Sequence, residues 1–178
     1  MMDKIIIAGF GGQGVMFLGK VLAYAGMGSD LELLWIPSYG PEMRGGTANC
    51  SVILSDEEIN SPVIDYSDAA IVLNKPAYDK FAPRVKPGGI LIVNSSLAKL
   101  EEVRDDITII EIPATDIANE LGNTSIANMV CLGALLPSLE LVDYDKVSKT
   151  MEKLTKKRPQ LLEVNLTAIE KGMSFVND

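Results

Sequence analysis

The amino-terminal segment constrains the fold most strongly, because an apolar run leads directly into a glycine-rich loop. Residues 4–8 are predicted to form a short buried strand, and the loop GFGGQG follows at residues 9–14. A helix is predicted from about Gln13 to Met27, since its apolar residues recur at helical spacing on one face, at Val15, Leu18, Leu22 and Ala25. A strand, a tight glycine turn and a helix in this order are typical of the first unit of an α/β domain.

Strands and helices alternate along the rest of the chain. Further strands are predicted at residues 32–36, 47–54, 69–73, 90–93 and 107–112. Helices are predicted at residues 74–81, 114–121, 126–136, 143–157 and from 159 onward. The second strand stops at Pro37, and only the nine-residue loop at 38–46 leads to the third strand. This is too few residues for a helical crossover, so these two strands are expected to be antiparallel or to belong to a hairpin-like excursion.

Local signals mark several boundaries of these elements. Asp143 is expected to cap the helix that follows it, and Thr124 or Ser125 is expected to cap the apolar helix at 126–136. The stretch KPGG at residues 86–89 is expected to form a turn. The pattern as a whole predicts an α/β fold with three layers. It has a mostly parallel, mixed sheet flanked by helices, a Rossmann-like first strand–turn–helix and a helical C-terminal third. A single domain over residues 1–178 fits this length.

The composition excludes several classes of function. The net charge of −8 disfavours nucleic acid and anionic membranes as partners, and the longest uncharged apolar stretch, 126–139, is shorter than a bilayer span. The chain has no histidine, which removes the commonest general base and metal ligand. Its two cysteines, Cys50 and Cys131, cannot supply the four thiolates of an iron–sulfur cluster, and they predict a cytoplasmic, reducing setting. No catalytic residue or metal ligand is therefore assigned.

The glycine loop allows three interpretations. Its glycines and the start of the helix could bind an anion through free N–H groups, which makes a cofactor phosphate or a partner's carboxylate a candidate ligand. The residues assigned to this role are Gly9, Gly11, Gly12, Gln13 and Gly14. An NAD site is a second interpretation, but no acidic residue follows the second strand, where dinucleotide-binding domains carry one. Close packing of strand and helix, without any ligand, is the third.

Two segments together resemble a known family. They are GFGGQG at residues 9–14 and PSYGPEMRGGTANC at residues 37–50, and the tail KRPQLLEVNL at residues 157–166 adds to the likeness. These segments resemble the γ subunit of 2-oxoacid:ferredoxin oxidoreductases over nearly the whole chain. The second segment looks more like the 2-oxoglutarate and branched-chain oxoacid versions than the pyruvate version.

The resemblance implies that the chain works inside a complex. Such complexes convert a 2-oxoacid and coenzyme A to an acyl-CoA and pass two electrons to ferredoxin. Thiamine diphosphate and Mg belong to the α and β partners, and the iron–sulfur clusters belong to β, δ or ferredoxin-like parts. The implied partners are α and β subunits, with δ in some complexes, and ferredoxin through the complex. The isolated chain is expected to be inactive, and an independent nucleotide-binding protein or NAD-type oxidoreductase is the alternative.

A second candidate site is the loop that carries the resemblance. Arg44 could pair with a carboxylate or phosphate across a subunit contact, or with an acid of its own chain. Exposed apolar residues in one loop favour a docking surface, although packing onto the chain's own core explains them equally well. The residues assigned to this interface are Tyr39, Pro41, Glu42, Met43, Arg44, Gly45, Gly46 and Thr47. The basic patch of Lys153, Lys156, Lys157 and Arg158 is interpreted as the cationic end of a helix. A docking face for acidic ferredoxin or for the 3′-phosphate of coenzyme A is the alternative.

Overall fold

A single mixed sheet forms the centre of the molecule. The computed structural model describes residues 1–38 and 47–177. Within these residues the sheet has six strands in the order β2-β3-β1-β4-β5-β6. The strands are β1 (Met2–Phe10), β2 (Glu32–Ser38), β3 (Thr47–Ser55), β4 (Ser67–Val72), β5 (Val85–Asn94) and β6 (Thr108–Ile112).

Strand β3 runs opposite to its two neighbours in the sheet. Strands β1, β4, β5 and β6 run parallel to one another, whereas β3 is antiparallel to both of its neighbours, β1 and β2. The antiparallel pairing of β2 and β3 that was predicted from the short connection is therefore confirmed. The mixed, mostly parallel α/β sheet is confirmed as well.

Helices cover both faces of this sheet, but unequally. The helices are α1 (Val15–Met27), α2 (Lys75–Phe81), α3 (Ala114–Glu120), α4 (Ala127–Leu135), α5 (Tyr144–Leu154) and α6 (Gln160–Asn177). Alternate residues of β1 point to opposite faces, so Ile5 and Ile7 join one core and Ile6 and Ala8 join the other. The larger core lies under α1 and α3–α6, and the smaller core lies under α2.

Three of the differences from the sequence prediction concern a turn, a helix cap and a helix end. Residues 86–89, expected to be a turn, lie inside β5, where Gly88 N–H donates to the Asp106 carbonyl at 2.7 Å. Asn123, and neither Thr124 nor Ser125, caps the apolar segment through a short 3₁₀ turn at 124–126. Helix α5 ends at Leu154 instead of Lys157, although Asp143 caps it as predicted by accepting from the Lys146 N–H.

Helices α4 and α6 approach each other at two glycines. A Cβ atom on Gly133 would lie 1.9 Å from the Ile169 carbonyl oxygen, and one on Gly172 would lie 2.0 Å from the Val130 carbonyl oxygen. Both positions therefore require glycine, because a backbone atom cannot move aside as a side chain can. In the part of the chain that the structure describes, no helix is long and apolar enough to cross a membrane.

Candidate functional site

The glycine loop joins the carboxyl end of β1 to the start of α1, and its backbone shape depends on glycine. Gly12 and Gly14 adopt positive φ angles of 89° and 74°, a region that residues with a side chain rarely occupy. Gly14 has a second reason to lack a side chain, since a Cβ there would lie 2.3 Å from Nδ2 of Asn128. The loop therefore keeps its shape only with glycine at these two positions.

Gln13 fastens the loop to the next parallel strand. Its Oε1 accepts hydrogen bonds from the Phe10 N–H at 2.6 Å and from Nδ2 of Asn74 at 3.0 Å. Asn74 lies just after β4, is buried, and also caps α2 by accepting from the Ala77 N–H. The side-chain carbonyl oxygen of Gln13 therefore makes its hydrogen bonds within the chain. The role that this leaves for the oxygen at a ligand site is to position the loop.

Asn128 of α4 holds the other side of the loop. Its Nδ2 donates to the Gly14 carbonyl at 3.1 Å, and the same carbonyl accepts the first α1 bond from the Leu18 N–H. The Asn128 side chain is buried, so water cannot replace the contact easily. The loop is therefore fixed by one amide side chain on each side before any ligand arrives.

The first turn of α1 has no side-chain cap among residues 1–38 and 47–177. Its N-cap residue is Gly14, and the turn itself contains no acidic residue. The orphan N–H groups and the helix dipole together favour a bound anion at this point. The anion-binding role of the loop stays a prediction, beside the interpretation that its glycines serve close packing.

A cavity of about 540 Å³ opens in front of this loop. Gly12, Gly14 and Phe17 from the loop and α1 line it together with Lys157, Arg158 and Leu161. Asn123, Ser125 and Asn128 add polar groups to the lining. The site therefore combines a helix N-terminus with two exposed cationic side chains, a donor set that suits a phosphate or carboxylate.

The sequence also matches a family of known proteins. Residues 4–175 match the family described as pyruvate ferredoxin/flavodoxin oxidoreductase. The chain belongs to this family. The resemblance to γ subunits that residues 9–14 and 37–50 indicated is confirmed.

Two oxidoreductase subunits illustrate the likeness in sequence. Subunit KorC of the 2-oxoglutarate synthase of Methanocaldococcus jannaschii is 35% identical over 181 residues, covering 100% of this chain and 96% of KorC. Subunit VorA of the ketoisovalerate oxidoreductase of Methanothermobacter marburgensis is 34% identical over 173 residues, covering 97% of this chain. The chain spans only 36% of the length of VorA.

Two solved oxidoreductase structures share the fold. The gamma subunit of a keto/oxoacid ferredoxin oxidoreductase from Geobacter sulfurreducens is 28% identical with a TM-score of 0.82, covering 98% of both chains. The 2-oxoglutarate:ferredoxin oxidoreductase from Magnetococcus marinus was solved with 2-oxoglutarate, coenzyme A and succinyl-CoA bound. It is 26% identical with a TM-score of 0.89, and the match covers 99% of this chain and 31% of that one.

The predicted interface loop lies largely outside the described residues. Of its members only Thr47 is described, half-buried at the start of β3. Thr47 pairs with Phe10 and its neighbour Ala48 pairs with Gly9. The two segments that carry the family resemblance therefore meet at the carboxyl end of β1. For Tyr39, Pro41, Glu42, Met43, Arg44, Gly45 and Gly46, the interface role stays a prediction.

A second cavity adjoins the glycine loop. Its volume is about 240 Å³, and Gly12, Gln13, Asn94 and Thr115 contribute to its lining. Asn94 donates through Nδ2 to the Leu73 carbonyl at 3.3 Å and to Thr115 Oγ1 at 2.9 Å. These groups are neutral and bonded to one another, so they support the carboxyl edge of the parallel strands without adding charge.

The cysteines of this family member are placed as core residues. Cys50 and Cys131 are both buried, and burial raises the pKa of each thiol to about 12. Neither thiol therefore forms a thiolate near neutral pH. Among residues 1–38 and 47–177, no group of three or more His, Cys, Asp or Glu side chains could hold a metal ion.

Sequence reasoning did not assign Lys157 and Arg158 to the site and considered a phosphate contact for them only as the alternative. These residues follow α5 instead of ending it, and they line the same cavity as the glycine loop. Asn123 and Asn128 were likewise not assigned to the site. The only available signal was the local excess of basic residues, which does not reveal a contact with a loop near the other end of the chain.

Proposed function

We propose that this chain is the gamma-type subunit of a cytoplasmic 2-oxoacid:ferredoxin oxidoreductase, and that it is inactive alone. It would brace the α and β subunits, with δ in some complexes, while those partners carry thiamine diphosphate, Mg and the iron–sulfur clusters and pass electrons to ferredoxin. The absence of histidine supports this division of labour, because the chain lacks the usual general base. The relatives, which are subunits of oxidoreductases, do not favour an independent nucleotide-binding enzyme.

We propose 2-oxoglutarate as the substrate of the complex, with a branched-chain oxoacid as the second candidate. KorC matches this chain from end to end as a separate subunit, covering 96% of its own length. VorA matches at almost the same identity but is a much longer chain. Steady-state assays of the assembled complex with both oxoacids would separate the candidates, and a higher kcat/KM for the branched-chain acid would reject the first.

The contribution of this chain to catalysis would be to help bind coenzyme A. The observation that carries this proposal is that one cavity is lined both by Gly14 at the start of α1 and by Lys157 and Arg158. Coenzyme A carries a pyrophosphate and a 3′-phosphate, so it needs both hydrogen-bond donors and positive charge. A helix N-terminus suits one phosphate group, and a guanidinium with an ammonium group suits another.

The proposal is tested by removing the two cations in the assembled complex. The Lys157→Ala/Arg158→Ala variant should raise the KM for coenzyme A roughly tenfold, equivalent to about 1.4 kcal/mol, because charge-assisted contacts are lost. The KM for the oxoacid should not change. A matched control is Lys99→Ala/Lys171→Ala, which removes two exposed lysines that do not line this cavity. A coenzyme A KM equal to that of the control would contradict the proposal.

The predicted interface loop needs its own experiment. Arg44→Ala should reduce either assembly of the complex or coenzyme A-dependent turnover, because its guanidinium is proposed to pair with an anion across the contact. Gel filtration of the co-expressed subunits measures the first effect, and steady-state kinetics measures the second. If both stay at the wild-type level, Arg44 has no such role.

The competing function has a direct test. Calorimetry of the isolated chain with NAD, FAD, ATP and coenzyme A compares the four nucleotides under one condition. Clear affinity for NAD or FAD would favour an independent dinucleotide-binding protein. Binding of coenzyme A alone, or of none until the other subunits are added, agrees with the gamma-subunit proposal.

A further inference from the structure

Helix α5 and the segment after it concentrate positive charge on an acidic protein. The net charge of the chain is −8, yet six of its sixteen basic residues are Lys146, Lys149, Lys153, Lys156, Lys157 and Arg158. Residues 146, 149 and 153 follow the i, i+3, i+7 spacing that places side chains on one face of a helix. We call these three lysines the lysine row.

The charge of the lysine row is not neutralised within the described residues. The ion pairs between described side chains lie elsewhere, as between Lys86 and Asp68 or Arg104 and Asp106. Lys146 donates to a neutral group, the Leu141 carbonyl, at 2.9 Å. Lys149 and Lys153 are exposed. In a chain with an excess of acids, three unpaired cations on one face form a surface of opposite charge to the rest.

Helix α1 lies beside the lysine row and exposes apolar side chains to it. Tyr24 is 43% exposed and Met27 is 62% exposed. Lys20 extends over the Tyr24 ring, with its Nζ 5.3 Å from the ring centroid, and adds a further cation. Between α1 and α5 lies a groove of about 560 Å³, lined by Tyr24, Met27, Gly28 and the lysine row.

From this arrangement we infer that the groove between α1 and α5 docks an acidic, partly apolar segment of another subunit of the complex. The inference rests on the proposed function, which supplies the partner subunits. Tyrosine and methionine are enriched in the buried centres of protein interfaces, and charged groups at the rim select a partner of opposite sign. The lysine row and the Tyr24–Met27 wall match these two parts.

A polypeptide segment suits the groove better than a small anion or a nucleic acid. The groove has no free helix N-terminus at its lining, since it contains the end of α1 and the body of α5. A small phosphate would therefore meet lysine ammonium and hydroxyl groups, without a helix N-terminus to bind it. A long nucleic acid would extend beyond the lysine row onto a chain of net charge −8. A short acidic segment avoids both difficulties.

The occupant can be identified by photo-crosslinking in the assembled complex. A benzophenone amino acid replaces Met27 in one variant and Val103 in a matched control. Val103 is 60% exposed, similar to Met27, but it lies beside Tyr78 of α2, on the side of the smaller core. After irradiation, mass spectrometry should find position 27 joined to a segment of a partner subunit rich in Asp and Glu. A crosslink to a basic or uncharged segment, or no crosslink from position 27, would overturn the inference.

Charge reversal provides an independent measurement. The Lys149→Glu/Lys153→Glu variant should weaken association with the partner subunits about tenfold at low salt, and raising the salt should narrow its difference from wild type. The control Lys99→Glu/Lys171→Glu changes the net charge equally away from the groove. Equal effects of the two variants would overturn the inference. If wild-type chain does not associate with α and β subunits at all, the proposed function itself has failed, which is a different result.

Discussion

Two helix pairs on the same face of the sheet illustrate different uses of helix packing. Helices α4 and α6 meet backbone to backbone through Gly133 and Gly172, and α4 is buried from Asn128 to Leu135. Helices α1 and α5 also bury one side each, but they leave Tyr24, Met27 and the lysine row in solvent. The contact between α4 and α6 is part of the core of this chain, whereas α1 and α5 leave part of their surface exposed.

This difference separates stability from recognition within one layer. Substitutions between α4 and α6 should change the free energy of unfolding, because packed interiors tolerate little change in volume. Substitutions on the outer side of α1 and α5 should change association with partners and leave folding almost unaltered. Each of the following predictions tests one part of this separation.

The largest effect is expected at the contact between α4 and α6. Gly133→Ala should reduce the free energy of unfolding by about 3 kcal/mol or more, because the new methyl group would lie 1.9 Å from a backbone oxygen. Chemical denaturation measures the change. Gly28→Ala is the matched control, since Gly28 has a φ of −78° and open space around its missing Cβ. Equal stability of the two variants would show that the helices can separate without cost.

A smaller effect is expected at the start of α5, which carries the lysine row. Asp143→Ala removes the side chain that accepts from the Lys146 N–H at 2.9 Å, so stability should fall by about 1 kcal/mol. Asp143→Asn should retain most of the stability, because asparagine also caps helices. Thermal or chemical denaturation of both variants checks this. An alanine variant as stable as wild type would mean that packing against α1 alone fixes the helix.

The partly buried carboxyl of Asp3 in β1 predicts that the stability of the protein depends on pH. Burial raises the pKa of Asp3 above its ordinary value of 3.8, with Asp68 and Glu140 adding to the shift and the Leu141 backbone N–H opposing it. Below pH 3.8 the Asp3 carboxyl is protonated and the folded protein keeps its full stability with respect to this group. Because the pKa is raised in the folded state, that stability is lost as the pH rises through the folded pKa and the partly buried carboxyl ionises. Asp3→Asn should therefore stabilise the protein by several tenths of a kcal/mol near pH 7.

The pH profile of unfolding is the check on Asp3. The stability gained by Asp3→Asn should be larger at pH 7 than at pH 3, since protonated aspartic acid and asparagine are both neutral. Glu140→Gln serves as a comparison, because it removes one neighbouring charge and leaves the Asp3 carboxyl in place. A constant difference between Asp3→Asn and wild type across this range would contradict the assignment.

The smallest effect on stability is expected on the outer side of α1. The Tyr24→Ser/Met27→Ser variant should change the free energy of unfolding by no more than about 0.5 kcal/mol per site, because Tyr24 is 43% and Met27 62% exposed and neither is a core residue. Its association with the partner subunits should weaken in the same assay as the charge-reversal variant. A loss of stability comparable to that of Gly133→Ala would remove the distinction between the two helix pairs.

The sequence predicted most of the fold because local periodicity and local caps determine most of it. The strand–loop–helix at residues 2–27, the antiparallel β2–β3 pair and the Asp143 cap all follow from residues close together in the chain. The position of residues 86–89 inside β5 did not follow from it. Its glycines resemble a turn, but pairing with neighbouring strands decides the conformation.

The candidate site was only half predictable for the same physical reason. The glycine loop was recognisable because its chemistry lies within six consecutive residues. The bond between Gln13 and Asn74 spans 61 positions, and the one between Asn128 and Gly14 spans 114. The convergence of Lys157 and Arg158 on the loop likewise depends on where α5 and α6 are placed. Such contacts come from the tertiary fold, which no single segment encodes.

The protonated, inaccessible state of both native thiols makes the protein convenient to label. Maleimides and related reagents attack thiolates, and neither Cys50 nor Cys131 offers one near neutral pH. A single cysteine introduced at an exposed position should therefore react alone in the folded chain, without prior removal of the native pair. Fluorescent or spin probes could then follow subunit assembly at chosen points on the surface.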